Sequence, residues 1–297
     1  MPYKNPIFQI LCKLGVCNPG SVEQIQPFVR DRRDLSVMQC KKSEVIFLSR
    51  TDHIDISHYD KKEPTHQHGT QKREIITTND DSERRFQSFS NTIRGKKWLD
   101  FGSGSGAILD RLGPLSADYA AVEPQETAAG FLSQLGHKVY RRIDHVPDSS
   151  FDVITLFHVF EHLNSPLDTL SELKKKLTPS GKLIVEVPHA RDFLINKANC
   201  SAFKEHTFWS EHLILHTRSS LSAMLQAADL KVEAISGIQR YPLANTLHWL
   251  AKGVGSGHTA WSYLCDNQLD SSWQNMLAKL DLTDTIVAEA SIRLDLQ

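Results

Sequence analysis

The segment 97-KWLDF-101, followed at once by 102-GSGSG-106, constrains the fold of this chain more than any other feature. An apolar run that ends in an acidic residue is typical of a buried strand. Glycine at alternate positions lets the backbone turn sharply and approach a ligand closely, because glycine has no Cβ. A tight turn without a ligand is the alternative interpretation. We expect a strand, a turn and a helix arranged around a ligand-binding loop.

Further apolar runs predict strands that alternate with helices along the chain. They are 118-DYAAVE-123, 137-HKVYRR-142, 151-FDVITLF-157, 182-KLIVEVP-188, 230-LKVEAIS-236 and 284-DTIVAEA-290. The clearest helix is 166-PLDTLSELKKKL-177, which has Pro166 at its first position and leucines on one face. Buried runs that alternate with helices indicate a sheet covered on both faces. The sequence predicts an α/β fold with a doubly wound, mostly parallel sheet of seven strands.

The domain organisation is predicted from changes in composition along the chain. Residues 1–80 are polar, contain one strand-like run, 44-EVIFLS-49, and a hydrophilic stretch at 60–74, which indicates a small appendage and linker. Residues 81–297 form the α/β domain, with insertions at about 189–216 and 238–282.

Composition excludes some classes of protein. Lys and Arg total 34 against 35 for Asp and Glu, so no strong positive field favours a nucleic acid partner. No apolar run approaches the length of about 20 residues that spans a bilayer, and the N-terminal residues do not resemble a secretion signal. The five cysteines are scattered, as in proteins of a reducing compartment. We expect a cytoplasmic protein, and the sequence leaves its oligomeric state open.

A second motif lies 23 residues after Asp100, where Glu123 ends the next strand and is placed to accept hydrogen bonds from two ribose hydroxyls. Together with the D-x-G-x-G-x-G pattern, this residue resembles the class I S-adenosylmethionine (AdoMet)-dependent methyltransferases. The resemblance implies a Rossmann-like methyltransferase fold with AdoMet as cofactor. It implies the following cofactor-binding residues: Asp100, Gly102, Ser103, Gly104, Gly106, Glu123, Pro124, Phe157 and His158.

The resemblance extends over roughly residues 82–236 and is similar to a subgroup with the pattern FDVI, then EH, then a glycine before a strand. It implies O-methylation of a sugar or sugar-derived acceptor in surface-glycan or nucleotide-sugar biosynthesis. The alternative acceptor is a natural-product or quinone hydroxyl. A non-catalytic, nucleotide-binding partner protein is an alternative of a different class, which the intact glycine loop and Glu123 argue against.

The stretch 157-FHVFEHL-163 contains the order H-x-x-E-H, which is also a zinc-peptidase signature. A zinc helix needs more length than this segment offers before Pro166, so we predict no metal here. A hydroxyl acceptor benefits from a general base, and His162 or His158 are the candidates, with Glu161 orienting one of them. A divalent cation on Glu161 is an alternative, and so is a structural role without chemistry.

Two further clusters are candidates for binding. In 205-EHTFWSEHLILH-216, His206 and Trp209 are predicted to face the acceptor, and a half-buried structural cluster is the alternative. The N-terminal part resembles the zinc module of deoxysugar-modifying methyltransferases, but departs from it. Four residues separate Cys12 from Cys17, and Cys40 is followed by Ser43 instead of a fourth thiolate, so we expect a metal-free remnant.

Overall fold

The computed structural model describes residues 3–54 and 80–293. Its N-terminal part contains one helix and three short antiparallel strands: α1 (Pro6–Lys13), β1 (Val22–Gln26), β2 (Val37–Cys40) and β3 (Ile46–Leu48). Asn5 caps α1, because its side-chain oxygen accepts hydrogen bonds from the backbone N–H groups of Ile7 and Phe8. The hydrophilic stretch 60–74 lies outside the described residues.

The second part alternates strands with helices, as the apolar pattern predicts. Its first half comprises α2 (Asp80–Ile93), β4 (Lys97–Phe101), α3 (Ala107–Leu112), β5 (Asp118–Val122), α4 (Glu126–Gln134), β6 (Val139–Tyr140), β7 (Phe151–Phe157), α5 (Pro166–Lys176) and β8 (Leu177–Pro188). Its second half comprises α6 (Phe193–Asn196), α7 (Ser201–Thr207), β9 (Ile214–Leu215), α8 (Arg218–Ala227), β10 (Leu230–Ile238), α9 (Leu243–Lys252), α10 (Gly257–Ala260), α11 (Asn267–Leu280) and β11 (Thr285–Ile292). None of the helices in the described ranges has both the length and the apolar character needed to cross a membrane.

The large sheet has seven strands in the order β10-β11-β8-β7-β4-β5-β6. Five adjacent strands, β8, β7, β4, β5 and β6, run parallel to one another. Strand β11 is antiparallel to both of its neighbours, β8 and β10. The predicted α/β class and the mostly parallel, seven-stranded sheet are therefore confirmed. Strand β6 is shorter than its apolar run, and it ends the sheet, where only one neighbour pairs with it.

The N-terminal part forms a second, smaller sheet in the order β1-β2-β3-β9. Strand β9 belongs to the predicted insertion at 189–216, so the two ends of this sheet come from distant parts of the sequence. Phe8 and Phe47 stack with ring centroids 3.9 Å apart, and they belong to the same buried apolar cluster as Leu99 and Val185 of the large sheet. The described N-terminal residues share a core with the α/β part, and the boundary at residue 80 stays a prediction.

Candidate active site

A cavity of about 1230 Å³ opens where β4, β5, β7 and β8 present their carboxyl ends. Ligands bind at this edge of open parallel sheets, where the strand order reverses. Gly102, Gly104 and Glu123 line this cavity, and so do His162 and Trp209. Pockets for a single drug-sized ligand have volumes of roughly 300–1,000 Å³. This cavity therefore has room for a cofactor and an acceptor side by side.

The glycine loop after β4 adopts left-handed backbone conformations, with φ of 81° at Gly102, 52° at Gly104 and 75° at Gly106. A Cβ at Gly102 would lie 2.5 Å from Val159 Cγ2, and a Cβ at Gly106 would lie 2.3 Å from Leu132 Cδ2. Nothing lies within 4 Å of a Cβ at Gly104, which borders the cavity. The outer two glycines therefore serve packing, and the middle one keeps the backbone open to a ligand.

This difference predicts the behaviour of two alanine variants. Gly106→Ala forces a left-handed alanine against Leu132 and is expected to lower the free energy of unfolding by about 2–4 kcal/mol, from strain and overpacking together. Gly104→Ala meets open space and is expected to cost only the backbone strain, about 1 kcal/mol. Urea denaturation of both variants checks this, and equal losses of stability would contradict the packing role of Gly106.

Asp100, at the end of β4, is buried and fixed by a chain of hydrogen bonds. Thr155 Oγ1 donates to Asp100 Oδ1 at 2.7 Å, and Trp98 Nε1 donates to Thr155 Oγ1 at 2.9 Å. Burial raises the pKa of Asp100. Asp100 is absent from the cavity wall, so in this structure its side chain joins β4 to β7 rather than reaching the ligand space.

Glu123, which follows β5, lines the cavity and also holds the glycine loop. Its Oε2 accepts a hydrogen bond from the Gly104 backbone N–H at 2.8 Å, and its Oε1 accepts one from Gln125 N–H at 3.0 Å. Burial raises its pKa, and these two backbone hydrogen bonds act in the opposite direction. Each carboxylate oxygen has more than one lone pair, so both oxygens can still accept from vicinal hydroxyls in the cavity.

The other predicted cofactor contacts divide into two groups. Pro124 and His158 line the cavity, whereas Ser103 and Phe157 are absent from its wall. Ser103 Oγ donates to the Asp100 carbonyl at 3.1 Å, inside the loop. Phe157 lies away from the cavity, with its ring 5.4 Å from that of Phe89 and 4.7 Å from the Arg85 guanidinium.

His158 lies between two buried carboxylates. Its Nδ1 is 3.3 Å from Glu161 Oε1, and its Nε2 is 3.3 Å from Glu186 Oε1. Burial and the charge of Arg240 lower the pKa of His158, but hydrogen bonding to the two carboxylates outweighs them and raises it. A carboxylate beside each ring nitrogen favours the protonated imidazole. This side chain is therefore suited to organise the site and is a poor acceptor for a substrate proton.

Glu186, on β8, connects this histidine to helix α2. Two guanidinium groups donate to Glu186 Oε1, that of Arg84 at 2.8 Å and that of Arg85 at 2.6 Å. Burial raises the pKa of Glu186, but the charge of Arg85 and the hydrogen bond from His158 bring it well below its usual range. The floor of the site is thus a buried network of two carboxylates, two guanidinium groups and His158.

Glu161 and His162 lie on a single 3-10 turn, Phe160–His162, so the longer helix of a zinc peptidase is absent from this segment. Glu161, His162 and His212 each offer one ligand atom within 4.8 Å of the other two. Glu161 Oε2 and His212 Nδ1 are buried and make no hydrogen bond within the described ranges. This donor set fits a divalent cation, which would lower the pKa of a bound hydroxyl. The prediction of a metal-free site stays a prediction.

The acidity of Glu161 makes stability depend on pH. Burial raises its pKa, but the hydrogen bond from His158 and the charge of His162 lower it from 4.5 to about 2. The ionised group therefore stabilises the folded state above about pH 4.5, and this contribution is lost as pH falls towards about 2. We expect the free energy of unfolding to fall less between pH 5 and pH 3 in Glu161→Gln than in the wild type. Urea titrations at both pH values test this, and an equal fall in the free energy of unfolding in the two proteins would contradict it.

His206 and Trp209 both line the cavity, and their contact with an acceptor stays a prediction. The His162 ring packs edge-on against Trp209 at 5.9 Å and against His212 at 5.1 Å. His212 belongs to the same segment, 205–216, and nothing in the sequence distinguishes it from the other histidines there. His216 is structural: it is fully buried, hydrogen-bonded to Ser220 Oγ and stacked on a phenylalanine.

The three N-terminal cysteines do not form a closed metal site. Within the described part of the chain, the group on the 3-10 turn is the one set of three ligand atoms close enough for an ion. Cys17 Sγ lies 3.1 Å from Ser43 Oγ, and burial raises the pKa of the Cys17 thiol to about 12. Burial acts to raise the pKa of the Cys40 thiol, but hydrogen bonds, chiefly from Ser43, outweigh it and lower this pKa to about 7. The expectation of a metal-free remnant stays a prediction.

Comparisons with known proteins agree with this geometry. Residues 71–235 match the sequence profile of the methyltransferase-domain family. The mitochondrial ubiquinone biosynthesis O-methyltransferase of Schizosaccharomyces pombe is 31% identical over 106 residues, 32% of this chain and 39% of that protein. The ubiquinone biosynthesis O-methyltransferase of Aeromonas salmonicida is 24% identical over 171 residues, 52% of this chain and 71% of that protein. A solved SAM-dependent methyltransferase from Archaeoglobus fulgidus aligns with a TM-score of 0.48 at 18% identity, covering 74% of this chain and 94% of that one.

The profile match covers more than half of the chain, so the protein belongs to the methyltransferase-domain family. This confirms the class that the glycine loop and Glu123 predicted, and with it AdoMet as the cofactor. The chain spans about two fifths of the length of the S. pombe relative. What those relatives methylate is therefore a guide to this protein's acceptor and no more.

Proposed function

We propose that this protein transfers the methyl group of AdoMet to a hydroxyl of a small aromatic acceptor of the quinol type. The similarity to two ubiquinone biosynthesis O-methyltransferases supports this acceptor over the sugar that the sequence pattern first favoured. A surface-glycan role has no comparable support. Five free cysteines suit a reducing compartment, and a cytoplasmic location is part of this proposal.

The cavity is the observation that carries the proposal. It runs without interruption from Glu123 and the glycine loop to a wall of aromatic side chains that includes Phe203, Trp209 and Trp249. Flat apolar walls favour a planar ring, because aromatic pairs gain from stacked or edge-on packing beyond their area of contact. The two ends of the cavity therefore fit two different molecules, a nucleoside and an aromatic acceptor.

The transfer needs a group that removes the hydroxyl proton. The acceptor oxygen forms a bond to the methyl carbon as the bond from that carbon to sulfur breaks, and the proton leaves the oxygen. His158 lies between the Glu161 and Glu186 carboxylates, which favour its protonated form, and is unsuited to this role. His162 lines the cavity with its Nε2 3.7 Å from Glu161 Oε1, so Glu161 is placed to orient it and to stabilise its charged form. Holding both substrates in one cavity supplies the rest of the rate enhancement.

Labelled methyl transfer tests the proposed function. The purified protein is incubated with methyl-labelled AdoMet and either 3,4-dihydroxybenzoate, catechol or a UDP-linked sugar. We expect label in the aromatic probes, released as a methyl ether. Label in the sugar alone would restore the sugar acceptor, and label in none of them, with AdoMet bound, would overturn the proposal of an aromatic hydroxyl.

A further inference from the structure

Arg30, in the loop between β1 and β2, reaches the acceptor end of the cavity from the N-terminal part of the chain. Its backbone N–H donates to the Phe208 carbonyl at 3.0 Å, and its Nη1 donates to the His206 carbonyl at 2.9 Å. Its guanidinium carbon lies 4.8 Å from the centre of the Trp209 ring. A planar guanidinium stacked in this way keeps most of its N–H donors available at its edges.

The neighbouring contacts fix the position of this loop. The Asp31 carboxylate accepts hydrogen bonds from the Ser210 backbone N–H at 3.0 Å and from Ser210 Oγ at 2.6 Å. His53 Nε2 lies 2.7 Å from the Ser210 carbonyl on the same segment. The contacts of its neighbours therefore help to hold Arg30 at the cavity. Because Arg30 is already held in place, it loses less conformational entropy when it binds a ligand.

The charge of Arg30 is not neutralised by an ion pair with any of the residues that the structure describes. Within the described ranges, no carboxylate lies within ion-pair distance of Arg30, although Glu205 and Glu211 also line the cavity. The other arginine of the cavity wall, Arg240, is held by Asp284 at 3.1 Å and Asp81 at 3.3 Å. Of these two guanidinium groups, only that of Arg30 is available to an anion.

His206, beside Arg30, does not supply a competing positive charge. Burial, and then the charge of Arg30, lowers the pKa of His206. This imidazole is therefore neutral near pH 7, whereas the Arg30 guanidinium beside Trp209 is a cation that a ligand in the cavity meets.

We propose that Arg30 binds an anionic group of the acceptor, a carboxylate or a phosphate, and so directs the acceptor's hydroxyl towards His162. The guanidinium fork matches either group with two parallel hydrogen bonds. This inference rests on the proposed function and names the acceptor more closely: a hydroxylated aromatic compound that carries a negative charge. It also gives the N-terminal part of the chain a direct role in substrate recognition.

A pair of matched acceptors tests this proposal. 3,4-Dihydroxybenzoate carries the anion and catechol lacks it, so the ratio of their kcat/KM values reports the anion contact alone. We expect the wild type to favour the anionic probe and Arg30→Gln to reduce that preference about 10- to 100-fold, since a hydrogen bond to a charged group contributes about 1.5–3 kcal/mol. Arg30→Lys should keep part of the preference for the anionic probe. Inhibition by benzoate or by phenyl phosphate distinguishes a carboxylate site from a phosphate site.

Arg33→Gln is the control, because Arg33 stacks on Phe28 and is absent from the cavity wall. An unchanged preference in Arg30→Gln, or an equal loss for both acceptors, would overturn the anion site. If the wild type methylates neither probe, titration of benzoate and of phenyl phosphate into the complex with S-adenosylhomocysteine decides the question: binding must be present in the wild type and lost in Arg30→Gln. AdoMet affinity, measured alongside, separates this outcome from a failure of the proposed function.

Discussion

Replacing His162 with alanine is expected to lower kcat for methyl transfer by about 100-fold or more, which is the usual contribution of a positioned general base. The affinity for AdoMet should stay unchanged, because His162 lies at the acceptor end of the cavity. Of the two histidines predicted as bases, His162 is the better candidate, since the two ring nitrogens of His158 face carboxylates. Single-turnover rates with labelled AdoMet measure the loss, and isothermal titration measures the binding.

The control for this variant is His145→Ala, at an exposed histidine in the 3-10 turn Ile143–His145. Turnover of His162→Ala close to that of the wild type would contradict the assignment and move the proton acceptor to His212 or leave catalysis to proximity. A chelator distinguishes an imidazole base from a metal site. Loss of activity with EDTA, restored by a divalent cation, would favour a metal on Glu161, His162 and His212 over an imidazole base that works without a metal.

Replacing Glu123 with glutamine is expected to weaken AdoMet binding by about 100-fold. Two hydrogen bonds to a charged acceptor would each lose about half of their strength when the carboxylate becomes an amide. The amide has one oxygen where the carboxylate has two, so it cannot accept from both the Gly104 and the Gln125 backbone N–H groups as Glu123 does. The loop therefore loses an anchor at the same time as the ribose loses its acceptor.

Glu126→Gln is the matched control, because Glu126 begins α4 three residues later and its side chain is 82% exposed. Titration calorimetry of both variants with AdoMet gives the comparison. Wild-type affinity in Glu123→Gln would contradict the ribose assignment while leaving the family membership intact.

Much of the fold follows from local sequence. The seven strands, the glycine loop and the position of Glu123 all come from short apolar runs and their spacing, which parallel strands with helical crossovers fix tightly. The glycines are needed because the loop uses positive φ at three positions. The glycine loop and Glu123 both lie within residues 97–123, so a short stretch of sequence suffices to place them together.

Side-chain direction was harder to predict. Phe157 ends the fourth predicted strand next to the ligand edge, yet it packs on Phe89 and Arg85 of helix α2. Successive residues of a strand face opposite sides of the sheet. Phe157 therefore shares its face with Val153 and Thr155, while His158 leaves the strand in a left-handed conformation and turns to the cavity. The apolar pattern of a strand buried on both faces does not say which face is which.

A single sequence does not predict which distant residues come into contact. Arg30 and Trp209 meet across the small sheet, and Asp31 and Ser210 are 179 residues apart. Nothing in a single sequence marks β9, a strand of two residues, as the partner of β3. The proposed acceptor site depends on such contacts, which is why the sequence analysis singled out His206 and Trp209 but neither Arg30 nor His212.

Titration of AdoMet into the wild-type protein tests the central claim most directly. The claim is that the glycine loop and Glu123 form the nucleoside end of a cavity shared with an acceptor. We predict one AdoMet molecule bound per chain, displaced competitively by S-adenosylhomocysteine. Absence of binding by folded protein, or binding that Glu123→Gln and Gly104→Ala leave unchanged, would contradict this account.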